Sequence, residues 1–147
     1  MPGAVLHVDG EEFDPDSLLP SLSLRPYRVY RKGDPTGRRG QLHTSSGFCC
    51  DVSSVDGLLS AEAADALEFL SKHRADLARI REDPTVRDLR IDFGYYRRDV
   101  AVQCDYLSPE LLRLAGELGI GFELSLYPTP EEQGDSPGAL TAQPSGS

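Results

Sequence analysis

The chain has 147 residues, with 15 lysines and arginines against 24 aspartates and glutamates, so its formal net charge is −9 at pH 7. This length suits one domain with a single hydrophobic core. The acidic balance argues against non-specific nucleic-acid binding, which depends on basic side chains that neutralise phosphates. We therefore do not expect nucleic acid to be the partner of this protein.

The first residues and the cysteines indicate the compartment. Residues 1–10 lack the basic region and the long apolar run of a signal peptide, and no apolar run in the chain is long enough to span a membrane. Cys49 and Cys50 are adjacent, so in a strand they point to opposite faces and do not pair with each other. With Cys104 they form an odd set, which is typical of reduced thiols. We expect a cytoplasmic protein with no membrane segment.

The first half of the chain predicts one short helix and three strands. Helix capping, turn residues and alternation of apolar with polar side chains are the signals. The predicted elements are a strand at 5–8, a helix at 15–19 capped by Asp14, a strand at 27–30 and a strand at 48–53. The segment between the last two strands, residues 31–40, contains three glycines and one proline, which indicates a loop at a hairpin tip.

The second half predicts two longer helices and three strands. Apolar residues at three- and four-residue steps, His73 among them, indicate one long helix. The predicted elements are a helix at 60–80, strands at 89–95 and 100–106 joined by a hairpin turn at 96–99, a helix at 109–118 capped by Ser108 and ended by Gly119, and a strand at 120–126.

The resulting order, β-α-β-β-α-β-β-α-β, predicts an α+β fold. Since the strands alternate apolar with polar residues, we expect a largely antiparallel sheet with its helices on one face and water on the other. The first six elements match the split β-α-β, or ferredoxin-like, plan, and the last three add a β-α-β to that core. We assign residues 1–128 to this single domain and residues 129–147, an acidic Pro-Gly-Ser segment, to a disordered tail.

Motifs of the common enzyme classes are absent from the sequence. It contains no phosphate-binding loop, dinucleotide fingerprint, nucleophile elbow or HExxH zinc motif. The three histidines are scattered, and the cysteines lack the CxxC spacing of zinc sites. Asp88, Asp92 and Asp105 fall on polar strand faces together with Arg90, which favours a solvated surface over a pair of catalytic carboxylates. We expect a non-enzymatic protein with no catalytic residues, metal or cofactor.

Acidic residues are concentrated near the N-terminus. Five carboxylates occur there with no basic residue among them: Asp9, Glu11, Glu12, Asp14 and Asp16. Such a cluster caps the first helix and keeps the protein soluble, and it also suits a docking face for a cationic protein, because complementary charge speeds encounter. We expect these five residues to form the partner-binding surface, with another protein, such as a basic toxin, as the partner.

Basic residues are concentrated in the segment that follows, which includes most of the predicted loop. Six of the 15 basic side chains lie within residues 25–39, with a single acidic residue among them. Flexible glycines beside arginine side chains can surround a phosphate or a carboxylate. The alternative function is therefore a small-anion or nucleotide-binding module that uses Arg31, Lys32, Arg38 and Arg39.

Four segments of the chain resemble a bacterial family catalogued as domain of unknown function 4279. They are residues 6–14 (LHVDGEEFD), residues 31–34 (RKGD) after the second strand, residues 46–48 (SGF) at the start of the third strand, and residues 111–126. The resemblance spans nearly the whole predicted domain and implies a compact α+β fold, with no catalytic residues to transfer. Small acidic bacterial proteins of this type also resemble immunity proteins, which neutralise a toxin by covering its active site. We expect a protein-binding domain of that kind.

Overall fold

The computed structural model describes residues 2–55 and 57–134. Its strands are β1 (Ala4–Gly10), β2 (Arg28–Tyr30), β3 (Ser46–Asp51), β4 (Asp88–Tyr96) and β5 (Gly121–Tyr127). Its helices are α1 (Pro15–Leu18), which a short 3-10 turn continues (Leu19–Ser21), α2 (Leu59–Lys72), α3 (Arg74–Glu82), α4 (Pro109–Glu117) and α5 (Pro130–Gly134). Within this part of the chain, no helix combines the length and the apolar character that crossing a membrane requires.

The five strands form one sheet in the order β2-β3-β1-β4-β5. The first four pair antiparallel, and β5 joins the edge of β4 in parallel, after the crossover through α4. The strand order β2-β3-β1-β4 is that of the split β-α-β plan, and α4 with β5 extends it. The predicted α+β class and largely antiparallel sheet are confirmed.

The helices pack on one face of this sheet. Along β1, Ala4, Leu6 and Val8 are buried in the core, whereas Val5 and His7 alternate with them on the other face. The helices add the following side chains to the same core: Ala66 and Leu70 from α2, Leu77 and Ile80 from α3, and Leu111 and Ala115 from α4. The core therefore lies between the helices and one face of the sheet. We call the opposite face the open face.

Three helix ends follow their predicted signals. The Asp14 carboxylate accepts a hydrogen bond from the backbone N–H of Asp16, and the Ser108 hydroxyl accepts one from that of Leu111. Gly119 ends the last predicted helix at φ 68°, and the next N–H, of Ile120, donates to the carbonyl of Ala115 at 2.8 Å. This reversal brings the chain from α4 directly into β5.

The predicted strand at 100–106, and with it the hairpin turn at 96–99, is wrong. Residues 97–108 form a loop, and the apolar side chains of Val100 and Val102 are exposed. The reason is topological: β4 pairs with β1 on one side and with β5 on the other, so neither edge of β4 is left for a hairpin partner. Alternation along a segment indicates that a strand is possible, but a hairpin with β4 also requires a free edge of β4.

The predicted helix at 60–80 is two helices. His73 separates α2 from α3 with φ −105° and ψ 21°, outside the helical region, and its ring lies 4.7 Å from that of Phe69. Buried residues occur in both segments, Leu70 before the break and Leu77 after it. The break allows both helices to keep their apolar sides on the sheet.

The predicted tail falls mainly on residues that the structure does not describe. Pro130–Gly134 form the short helix α5, and Glu132 of this helix pairs with Arg97 at 2.8 Å. The rest of the predicted tail, residues 135–147, lies outside the described residues. The domain as described therefore ends with α5.

Phe93 offers a direct test of this core. Its ring is fully buried and meets that of Phe122 edge-on, with 5.0 Å between the ring centroids. We predict that Phe93→Ala lowers the free energy of unfolding by about 3–5 kcal/mol, since it leaves a cavity that the sheet cannot close. The control Val102→Ala, at a side chain 73% exposed, is expected to change it by less than about 0.5 kcal/mol. Urea denaturation measures both, and equal effects would contradict the arrangement of the core.

Candidate functional site

The open face of the sheet carries charged side chains from all five strands. The cross-strand register places residues of neighbouring strands side by side: Arg28 beside Cys49, Cys49 beside His7, and His7 beside Arg90. Among the described strand residues, the open face holds two arginines, Arg28 and Arg90, and five carboxylates, those of Asp9, Asp51, Asp88, Asp92 and Glu123. Carboxylates therefore outnumber cations on this surface.

Arg90 neutralises part of this charge. Its guanidinium forms ion pairs with Asp88 on its own strand and with Glu123 on β5, the second at 2.6 Å. Ser125 donates a hydrogen bond of 2.7 Å to Asp92. Asp51 is exposed and forms no ion pair with a described residue. The open face consequently keeps a net negative charge on a rigid backbone.

His7 and Cys49 form a contact at the centre of the open face. The Nδ1 atom of His7 lies 3.4 Å from Sγ of Cys49. Burial raises the pKa of the Cys49 thiol and lowers the pKa of the His7 imidazole, so both groups favour their neutral forms. A nucleophilic cysteine requires the opposite, a lowered thiol pKa that yields the thiolate at neutral pH. This pair is a neutral polar contact within the sheet.

The five predicted partner-binding acids separate into different roles. Asp9 accepts hydrogen bonds from two hydroxyl groups, those of Tyr30 and Ser45, Asp14 caps α1, and Asp16 forms a two-pronged ion pair with Arg31 at 2.6 Å. Glu11 and Glu12 remain well exposed, with Lys32 Nζ 3.5 and 3.7 Å from their carboxylates. Exposed pairs of that length contribute little to stability. Glu11 and Glu12 directly follow β1 and extend the acidic surface at one end of the sheet.

The four predicted anion-binding residues also separate. Arg31 and Lys32 lie at the base of the loop and face the N-terminal acids. Arg38 and Arg39 lie at the loop tip, are exposed, and form no ion pair with a described residue. The structure therefore does not gather the four cations into one site. It places the basic loop base against the acidic cluster, so the two oppositely charged segments partly neutralise each other.

The loop itself, residues 31–45, is an ordered hairpin that extends beyond β2 and β3. Backbone hydrogen bonds cross it from Gly33 N–H to the His43 carbonyl at 2.8 Å and from Thr36 N–H to the Gln41 carbonyl at 3.0 Å. A tight turn closes the tip, where the N–H of Gln41 donates to the carbonyl of Arg38. Gly37 and Gly40 flank the two arginines at φ 88° and 76°, conformations that favour glycine.

Asp9 fastens this hairpin to the open face. Its carboxylate accepts hydrogen bonds from the hydroxyls of Tyr30 and Ser45, and His43 stacks on the Tyr30 ring at 4.7 Å. Burial, and then the hydrogen bond to Asp9, raises the pKa of Tyr30, so its hydroxyl remains a donor. A Cβ at Gly47 would clash with the backbone carbonyl oxygen of Val8 and lie 2.8 Å from Cζ of Tyr30, so glycine is required beneath the ring. We call these contacts the Asp9 clamp.

The described residues form neither a metal site nor the three-carboxylate group that the strand pattern allowed. Within residues 2–55 and 57–134, no group of three His, Cys, Asp or Glu side chains is placed to hold a metal ion. Asp105 belongs to the loop after β4 and lies 3.4 Å from Arg98, and it does not share the sheet with Asp88 and Asp92. Of the three carboxylates that the sequence placed on polar strand faces, only Asp88 and Asp92 lie on the sheet, and Arg90 lies between them in sequence.

A family model covers most of the chain. The model described as Domain of unknown function (DUF4279) matches residues 2–129. The chain belongs to this family. No curated protein and no solved structure matches the chain significantly. Three of the segments that resemble this family meet at the same end of the sheet. Asp9 and Gly47 belong to the Asp9 clamp, and beside it the N–H of Lys32 donates to the Ser46 hydroxyl.

We predict that Asp9→Ala destabilises this DUF4279 domain and loosens the hairpin. Two hydroxyl donors would lose a charged acceptor, a change that costs about 1.5–3 kcal/mol for each such bond. Urea denaturation measures the loss, and amide exchange should accelerate at Gly33 and His43. Asp51→Ala is the matched control on the same face, expected to change stability by less than about 0.5 kcal/mol. Equal effects of the two substitutions would refute the clamp.

Proposed function

We propose that this DUF4279 domain is a non-enzymatic, protein-binding domain that acts in the bacterial cytoplasm as an immunity-type inhibitor of a basic toxin. The observation that carries the proposal is the open face, on which five carboxylates and two arginines project from a single sheet. Free Cys49 and Cys50 suit a reducing compartment.

Charge complementarity favours a cationic partner. The chain has a net charge of −9, and the uncovered surface shares this sign. An acidic surface accelerates encounter with a basic protein and rejects acidic competitors. These side chains project from paired strands, whose backbone is already fixed. Binding therefore costs less conformational entropy than it would on a flexible loop. A preformed acidic face of this kind suits an inhibitor that must find its target quickly.

The chemistry of the open face supports binding in preference to catalysis. The His7 and Cys49 pair favours neutral forms, and Arg90 pairs with the acids on either side of it. The alternative, a small-anion or nucleotide-binding module, requires cations that converge. Arg31 and Lys32 are engaged by Asp16, Glu11 and Glu12, which leaves that alternative with less support than protein binding.

The proposal is tested by expressing each neighbouring gene alone and together with this chain, in a search for a basic product that arrests growth, the candidate toxin. We expect the unchanged chain to relieve the growth arrest that the toxin causes. Glu11→Lys with Glu12→Lys should slow association with the purified toxin, and the difference should shrink as salt rises, because salt screens exposed charges. Stopped-flow fluorescence measures the association rate.

Glu68→Lys with Glu82→Lys is the matched control, since both glutamates are exposed on helices of the opposite face. The net charge then changes equally, and only the position of the change differs. We expect a much smaller effect on the association rate. Persistent growth arrest with the unchanged chain would refute the inhibitor function, and equal slowing by both double variants would refute the location of the surface.

A further inference from the structure

The hairpin tip has the opposite charge from the surface beside it. Its base shares the open face, because Tyr30 pairs with Gly47 in the sheet and binds Asp9, whereas its tip extends past the ends of β2 and β3. Arg38 and Arg39 form no ion pair with a described residue, although described acids outnumber bases in this protein. The charge of these two arginines is therefore available to another molecule.

The conformation of the hairpin is fixed before any partner binds. Cross-hairpin hydrogen bonds, a bridge between Pro35 and Leu42 and the Asp9 clamp fix its conformation, so little freedom is lost when the tip is bound. Arginine is enriched among the residues that contribute most to protein interfaces, and its planar fork matches a carboxylate. Leu42, 59% exposed, adds apolar contact area beside the arginines.

We propose that Arg38 and Arg39 form a basic prong that enters a carboxylate-lined pocket of the protein partner. This inference rests on the proposed function and specifies the partner further. A partner that fits both surfaces has a basic surface opposite the open face and carboxylates where the prong reaches. Enzymes that act on polyanionic substrates have this layout, since basic residues bind phosphates and carboxylates hold the metal or move the proton. The prong would occupy that catalytic pocket.

A nucleic acid is a poorer fit for the prong. An extended polyanion bound at the tip would also approach Glu11, Glu12 and the open face, where carboxylates repel it. A carboxylate pocket confines the negative charge of the partner to one place. The rest of the partner's surface can then be basic and face the acidic open face. The geometry therefore favours a protein pocket, and binding of an oligonucleotide becomes an outcome of the test.

The test uses NMR spectroscopy of the full chain, with labelled backbone amides and arginine Nε–H groups. Three probes are titrated separately at low salt: a capped hexaglutamate peptide, a capped hexalysine peptide and a hexathymidylate. We expect hexaglutamate to shift the signals of Arg38 and Arg39, and Arg38→Gln with Arg39→Gln to weaken its binding about tenfold. Arg25→Gln with Arg113→Gln removes the same charge from exposed positions elsewhere and should retain the binding.

The three titrations test the acidic open face and the basic prong separately. Hexalysine should shift the signals of the open face, including those of Asp51 and Asp92. If hexalysine binds there and hexaglutamate leaves the tip unchanged, or if both double variants weaken it equally, the prong is refuted and the acidic surface stands. If hexathymidylate binds the tip more tightly than hexaglutamate, the assignment to a protein pocket is refuted. If hexalysine does not bind the open face, the proposed binding of a basic partner to that face is refuted. The description of the partner, which depends on both surfaces, is then refuted as well.

Discussion

The structure depends on the two-residue period of β1, which lies at the centre of the sheet between β3 and β4. One set of its side chains, including Leu6 and Val8, enters the core, and the other, including His7 and Asp9, reaches the open face. A shift of the pairing by one residue would exchange these sets and bury a carboxylate. The core, the acidic surface and the Asp9 clamp are therefore fixed by the same register.

Signals that act between near neighbours could be predicted from the sequence. The caps at Asp14 and Ser108, the end of α4 at Gly119 and the alternation along β1 and β4 depend on residues a few positions apart, and the structure contains all of them. The opposite orientation of Cys49 and Cys50 also follows from strand geometry alone. These signals were sufficient for the fold class and for the core of the sheet.

Features that require pairing partners could not be predicted in this way. The segment at 100–106 has a strand pattern, but β5, more than twenty residues away from β4 in sequence, takes the available edge. The contact of His7 with Cys49 depends on the register between β1 and β3. The ion pair of Asp16 with Arg31 likewise depends on the path of the chain around α1. Each of these features is decided by topology, which composition and periodicity do not contain.

The distribution of charge gives the protein its two proposed contact elements. The two oppositely charged segments are adjacent in the structure: Arg31 neutralises Asp16, and Lys32 offsets one of the two charges of Glu11 and Glu12. What remains is the acidic surface of the sheet, with Glu11 and Glu12 at its end, and two unpaired arginines on a rigid hairpin. The average charge of −9 therefore conceals a surface with two signs.

We propose that the open face covers a basic partner, and carbodiimide cross-linking of the complex with the toxin reports on that contact. This reagent joins a carboxylate to a lysine amine in contact with it, so mass spectrometry of the products identifies which acids touch the partner. We expect links from partner lysines to Asp51, Glu123, Glu11 and Glu12. Links concentrated instead at Glu68, Glu82 and Glu110, which the helices carry, would contradict it.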